Sequence, residues 1–232
     1  MSSRAKILGK IGAALDKATT ARDRKAVAAA RLKSPPDNLI PDRAQVSPED
    51  QVQLFRDWAE EVSATTERIE KLDDLPASLS RYLSSQNLPS EIKASDDPLL
   101  AKVDWSQQPT LTRTSGVAEE ADQVSLAVAF AGIAETGTLV MHAGPENATS
   151  LNFLPETHVV LLPRSRIVGD YEATWQKLRA EKSKNMPNDM PNDMPRVVNW
   201  ITGPSRTGDI EQKIQLGIHG PRRLHIIIVD EV

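Results

Sequence analysis

The chain has 232 residues, 39% of them hydrophobic, enough for one α/β domain with a substantial core and a helical extension. A formal net charge of −4 and a pI near 5.6 speak against wholesale binding of nucleic acid. Cysteine is absent, so disulfides, thiolate catalysis, zinc–thiolate sites and cysteine-ligated iron–sulfur clusters are excluded from this chain.

Residues 1–33 read as an Ala/Lys/Arg-rich helix, with Ile7, Ile11, Ala14, Leu15 and Ala18 on one narrow apolar stripe and the cations on a solvated face. The stretch SPPDNLIPD, with three prolines, breaks it. A second helix is expected from VSPEDQV, where Ser47 is a good N-cap, Pro48 suits the first helical position, and Glu49 and Asp50 suit the positive end of the dipole. Its apolar positions Val52, Phe55, Trp58, Ala59, Val62 and Ile69 are spaced for one buried face. A third helix over 76–86 completes a helical extension spanning 1–88 and packing on the core.

From residue 89 the pattern alternates. Strands are expected at 91–94 and 110–112, a helix over 122–134, and strands at 138–142 and 158–162. Residues 166–168 lead into a helix over 171–182, followed by a strand at 197–202, a short helix at 210–216 and a last strand at 224–229. Such alternation argues for a mostly parallel sheet covered by helices over 89–232. The tandem repeat in NMPNDMPNDMP holds neither helix nor core, so 184–195 is expected to be a mobile loop insertion. No apolar run approaches the roughly 18–20 residues of a spanning helix. No apolar segment with a cleavage site follows the basic N-terminus, so a cytoplasmic protein is expected.

Three junctions could carry chemistry, and ligands of open parallel sheets usually bind beyond the carboxyl ends of the strands. In AETGTLV, Gly137 is explained as a helix C-cap glycine. Glu135, Thr136 and Thr138 beside it could instead bind a polar ligand, with Glu135 as base or nucleophile. In LPETHVV, His158 opens a strand and is read as structural. After the strand VVNWITG, the turn Gly203-Pro204-Ser205-Arg206-Thr207-Gly208 enters the 210–216 helix. Asp209 with Gln212 fits a loose capping box, and Gly217 can end the helix. Ser205, Arg206 and Thr207 then form a candidate anion-binding turn, although Asp209 and Glu211 put negative charge at the same helix end. His219, in GIHGPR, is either a general acid or base or a brace for the backbone. With only His142, His158, His219 and His225 available, no dedicated metal site is expected.

Taken in order and spacing, ETGTLV, LPETHVVLLP, GPSRTGDIE and GIHGPR resemble the LUD-domain family, and within it the C-type lactate utilization proteins. The resemblance covers about residues 90–232. It implies a three-layer α/β/α fold with a mostly parallel sheet, similar to sugar-phosphate isomerases and CoA-transferases (NagB/RpiA-like). It also implies a part in a cytoplasmic system that oxidises L-lactate to pyruvate alongside iron–sulfur subunits of the A and B types. No cofactor intrinsic to this chain is implied, since the clusters would sit in those partners. Carried onto this sequence, the ETGT and GPSRTGDIE motifs place Glu135, Thr136, Gly137, Thr138, Ser205, Thr207, Asp209 and Glu211 near the superfamily's ligand crevice. The catalytic candidates are Glu135, Asp209 and His219, and the candidates for binding an anionic small molecule are Thr136, Gly137, Thr138, Gly203, Ser205, Arg206, Thr207 and Glu211. The alternative is a stand-alone transferase, isomerase or ligase, such as a 5-formyltetrahydrofolate cyclo-ligase-like enzyme, acting on a phosphorylated or carboxylated small molecule.

Overall fold

The computed structural model describes residues 2–18, 21–35, 38–184, 194–208 and 213–232. The chain divides into two compact units, 1–39 and 40–232. The first contains α1 (Ser3–Ala18) and α2 (Ala21–Lys33). The anticipated stripe of α1 is exposed at Ile7, Ile11 and Leu15.

In the second unit, α3 (Pro48–Glu61) starts as its sequence demands, with the Ser47 hydroxyl accepting from the Asp50 N–H. The helix stops eight residues before Ile69, which corrects the expected span. Ser63 takes the left-handed conformation (φ 72°), its N–H donates to the Glu60 carbonyl, and the Ala64 N–H donates to the Ala59 carbonyl. This pair of bonds is the usual closure of a helix end, a role normally signalled by glycine. The β-branched pair Thr65-Thr66 then opens β1 (Thr65–Lys71), and Ile69 is buried from a strand instead of a helix. Residues 40–88 thus belong to the main unit and supply a strand of its sheet, so the division falls at 39/40 and not at 88/89.

The remaining elements are α4 (Leu75–Ser85), β2 (Glu91–Ala94), α5 (Pro98–Ala101), β3 (Thr112–Ser115), β4 (Val124–Val128), β5 (Ala131–Ile133), β6 (Thr138–His142), β7 (Thr157–Pro163), β8 (Ile167–Val168), α6 (Tyr171–Lys184), β9 (Val198–Ile201), β10 (Arg206–Thr207), β11 (Gln215–Leu216) and β12 (Arg223–Glu231). The helix expected over 122–134 is in fact β4 and β5. Every residue of both is buried, and a strand covered on both faces shows neither helical nor strand periodicity in its sequence. Of the expected helix at 210–216, residues 210–212 lie outside the described set, and Gln215–Leu216 form β11.

Six strands form one all-parallel sheet in the order β1-β12-β7-β4-β2-β3. Alternate residues of its central strands serve opposite faces. Leu126, Val128, Val159, Leu161, Ile227 and Val229 pack with Leu75, Leu79 and Leu83 of α4. Ala127, Val160, Leu162, Ile226 and Ile228 pack with Val52, Phe55 and Ala59 of α3 and with Leu139 and Met141 of β6. Beyond this second face, β8-β5-β6-β9 make a smaller mixed sheet, and α6 covers its outer side through Leu178, Tyr171 and Trp175. The mostly parallel α/β architecture is therefore as expected, with an extra sheet inside the third layer. Among the described residues, no helix is long and apolar enough to cross a membrane.

Gly137, at the turn from β5 to β6, has φ +62°, and a Cβ there would lie 2.4 Å from the backbone nitrogen of Ala59 in α3. Both the conformation and the close approach exclude a side chain. Gly137→Ala should therefore cost more than about 2 kcal/mol in urea denaturation. Gly144→Ala, with open space around it, should stay within about 0.5 kcal/mol. Equal midpoints for the two variants would contradict this packing.

Candidate functional site

The ETGT segment is the tight turn of the β5–β6 antiparallel pair, not a helix end, so Gly137 is a turn glycine and not a C-cap. Glu135 is buried at 6% exposure, and its Oε2 has no hydrogen-bond partner. Burial pushes its pKa up, opposed by the charge of Arg43 and reinforced by that of Asp170. Next to it the hydroxyls form a cluster. Thr138 Oγ1 lies 2.8 Å from Thr136 Oγ1, 3.2 Å from the Tyr171 hydroxyl and 2.7 Å from Thr202 Oγ1. Thr202 directly precedes Gly203, so this cluster ties the ETGT turn to the GPSR segment.

The GPSR segment does not run into a helix N-terminus within the described residues. It turns into β10, which pairs antiparallel with β11. Asp209 and Glu211 lie outside the described residues. Gly203 has φ +79°, and a Cβ there would sit 2.5 Å from the Val62 carbonyl oxygen. Arg206 Nη2 donates to that same carbonyl and, at 3.2 Å, to Ser63 Oγ. Its guanidinium thus caps the carboxyl end of α3, where a cation is favoured by the helix dipole. Ser205 is stitched to the GIHGP loop three times: its N–H donates to the Pro221 carbonyl at 2.9 Å, its carbonyl accepts from the Gly217 N–H at 2.9 Å, and its Oγ accepts from the His219 N–H at 3.3 Å.

These two segments enclose a cavity of about 270 Å³, lined by Gly203, Ser205, Arg206 and His219 together with Asn152, Phe153, His158, Trp200 and Leu224. Glu135, Thr136, Gly137, Thr138 and Thr207 are not among its lining residues. The cavity lies at the amino ends of β7 and β12, where His158 and Leu224 sit second in their strands. The carboxyl-end crevice anticipated for these motifs is therefore not where the structure brings them together.

His158, read from the sequence as structural, proves the most informative side chain of the cavity. It is fully buried. The parallel register sets it beside Ser125 of β4, and its Nδ1 is 2.9 Å from Ser125 Oγ. The Ser125 hydroxyl donates its single proton to the Leu151 carbonyl at 2.7 Å, so toward the imidazole it can only accept. This assigns the proton of the neutral ring to Nδ1. Nε2 is left as a bare acceptor with no partner. Burial holds the His158 pKa down at about 4, against a small opposing contribution from the Leu151 carbonyl, so the ring is neutral at pH 7. Nothing in the sequence shows the Ser125–His158 pairing, because the two lie in strands 33 residues apart.

A second buried histidine, His225, repeats the arrangement on the other face. Its Nδ1 is 2.8 Å from Thr65 Oγ1, its ring stacks on Tyr82 with centroids 3.8 Å apart, and burial lowers its pKa to about 4 against the charge of Glu67. Among the described residues, no group of three or more His, Asp or Glu side chains is placed to hold a metal ion.

Both histidines are neutral when folded, while in the unfolded chain they take up protons near pH 6.5. Each therefore contributes stability that is complete above pH 6.5 and is lost as pH falls from 6.5 toward 4. Between pH 7 and pH 5 the loss should be about 2 kcal/mol per histidine. Urea titrations at the two pH values measure it, and His158→Asn should remove roughly half of the pH dependence. A stability independent of pH in this window would contradict both assignments.

A model of the family described as the LUD domain matches residues 56–229. The chain is 36% identical over 115 residues to lactate utilization protein C of Macrococcus caseolyticus, an alignment covering 48% of this chain and 46% of that one. It is 30% identical over 133 residues to the protein of the same name from an Exiguobacterium species (56% and 53%), and 32% identical over 117 residues to that of Geobacillus thermodenitrificans (49% and 45%). The chain thus spans about half the length of the curated relatives it matches. Its fold is similar to the crystal structure of a DUF162 family protein from Deinococcus radiodurans, with a TM-score of 0.58 and 16% identity over 79% of this chain and 99% of that one. With the family model covering three-quarters of its length, the chain belongs to the LUD domain family.

Proposed function

We propose that this chain serves L-lactate utilization as a subunit that carries no redox centre of its own. In this reading the cavity between the GPSR and GIHGP segments binds a small 2-hydroxy acid. The observation that carries the proposal is the bare Nε2 of His158 beside the cavity. A buried acceptor without a partner costs stability until a donor reaches it. The α-hydroxyl of a 2-hydroxy acid is such a donor, and a cavity of about 270 Å³ has room for it. The relatives' name, lactate utilization protein C, favours lactate over other hydroxy acids.

In this reading each group has a part. His158 Nε2 accepts the hydroxyl proton's hydrogen bond, and the Ser125–Leu151 relay fixes the ring in the tautomer that can do so. His219, exposed on the cavity's rim with its N–H held by Ser205 Oγ, is placed to meet the carboxylate end. Oxidation of lactate to pyruvate releases two protons and two electrons. With no cysteine in the chain to ligate a cluster, the electrons go to iron–sulfur partner subunits of the A and B types, in the cytoplasm.

A thermal-shift titration tests the binding step. L-lactate at 100 times its Kd should stabilise the chain by about 2.7 kcal/mol. His158→Asn keeps a donor toward Ser125 but deletes the Nε2 acceptor, and should weaken L-lactate at least tenfold while the protein stays folded. Stabilisation by sugar phosphates or acyl-CoA, with none by any 2-hydroxy acid, would overturn the reading.

A further inference from the structure

A second cavity lies at the opposite, carboxyl ends of the central strands. It measures about 570 Å³ and is bounded by Val128 at the end of β4, by Asp97 just beyond β2, by Arg166 just beyond β7, and by Lys177 of α6. None of the residues lining the first cavity takes part in it.

The charges in this cleft are arranged unlike an ordinary solvated surface. Arg166 uses Nη1 to donate to the Ala129 carbonyl at 2.7 Å, which anchors its guanidinium over the strand end. Lys177, half-buried, lays its ammonium 5.7 Å from the centroid of the Phe130 ring. Desolvation lowers the Lys177 pKa, and the charge of Arg166 lowers it further, with Glu181 opposing. Two cations therefore line one cleft, and the charge of one disfavours the charge of the other. Neither is ion-paired to a carboxylate among the described residues. The acidic residues of the cleft offset this only in part, through the charge of Glu181. Asp97 is committed to capping α5 through the Leu99 N–H at 2.9 Å, and Glu146 and Glu181 form no ion pair with either cation.

We propose that this cleft binds a small organic anion, holding its carboxylate or phosphate group between Arg166 and Lys177. An anion there turns a repulsive pair into two charge-assisted contacts. Its position outside the carboxyl ends of parallel strands is where open α/β sheets bind ligands. The volume falls within the range of about 300–1,000 Å³ that holds drug-sized ligands, so the cleft takes a molecule larger than a three-carbon acid. It is a separate site from the His158 cavity, and its occupancy does not depend on lactate binding there.

Isothermal titration of the full chain with inorganic phosphate, and separately with succinate, tests the proposal and distinguishes the two anion chemistries. Saturable binding of at least one is expected, weakened tenfold or more in Lys177→Met and in Arg166→Gln, which removes the guanidinium anchored on the Ala129 carbonyl. Circular dichroism reports whether the variants fold. Ser205→Ala, in the other cavity, should leave this binding unchanged. The proposal is overturned if neither anion binds saturably, if Lys177→Met binds as tightly as the parent, or if Ser205→Ala abolishes binding.

Discussion

The parallel register of β4, β7 and β12 is the constraint on which the rest of this structure depends. Strands buried on both faces can carry polar side chains only where a neighbouring strand or loop satisfies them. In these three strands the buried polar groups collect at the amino ends. Register sets Ser125 beside His158 and His225 beside Thr65, and each histidine finds a hydroxyl on the next strand. One-residue alternation sends His158 toward the α3 face and His225 toward the α4 face. A slip of one residue would bury both imidazoles without partners, so the same pairing that builds the core also fixes two neutral rings.

The two rings differ in what surrounds them. His225 is stacked on Tyr82, with Glu67 3.9 Å from its Nε2, and reads as part of the core. Both rings leave Nε2 without a hydrogen-bond partner, but His158 also has the cavity next to it. Around that cavity the GPSR and GIHGP segments are held by backbone hydrogen bonds through Ser205, and the hydroxyl cluster at Thr138 and Thr202 ties them back to the ETGT turn. Arg206 contributes through α3, whose carboxyl end it caps. The ETGT, GPSR and GIHGP segments are thus largely scaffolding for a small cavity. Glu135, buried and only partly satisfied in the ETGT turn, stays outside it.

How much of this was legible depended on the local signal. The α3 start, α4, β2, β6 and α6 were readable because caps and periodicity act over a few residues. The β4–β5 pair is hidden because Val124–Ile133 is apolar on both faces except for Ser125, so neither period stands out. The end of α3 was hidden because Ser63 fills a position where glycine is the usual sign. Gly203, Ser205, Arg206 and His219 line one cavity, whereas Gln215–Leu216, expected at the end of a helix, form β11, and residues 209–212 lie outside the described residues. The weight of His158 is invisible in the sequence for a physical reason: it lies in a hydrogen bond to a residue 33 positions away, and no spacing rule reaches that far. The cations of the second cleft were missed likewise, because Arg166 and Lys177 converge only when α6 folds back over the smaller sheet.

The most direct test of the central claim is the protonation state of one imidazole nitrogen. Long-range ¹H–¹⁵N correlation spectra of the folded chain at pH 7 report which ring nitrogen of His158 carries the proton. The account predicts an unprotonated Nε2 and a protonated Nδ1, with the Nε2 resonance shifting on addition of L-lactate. A proton on Nε2, or an Nε2 resonance that L-lactate does not move, would contradict it.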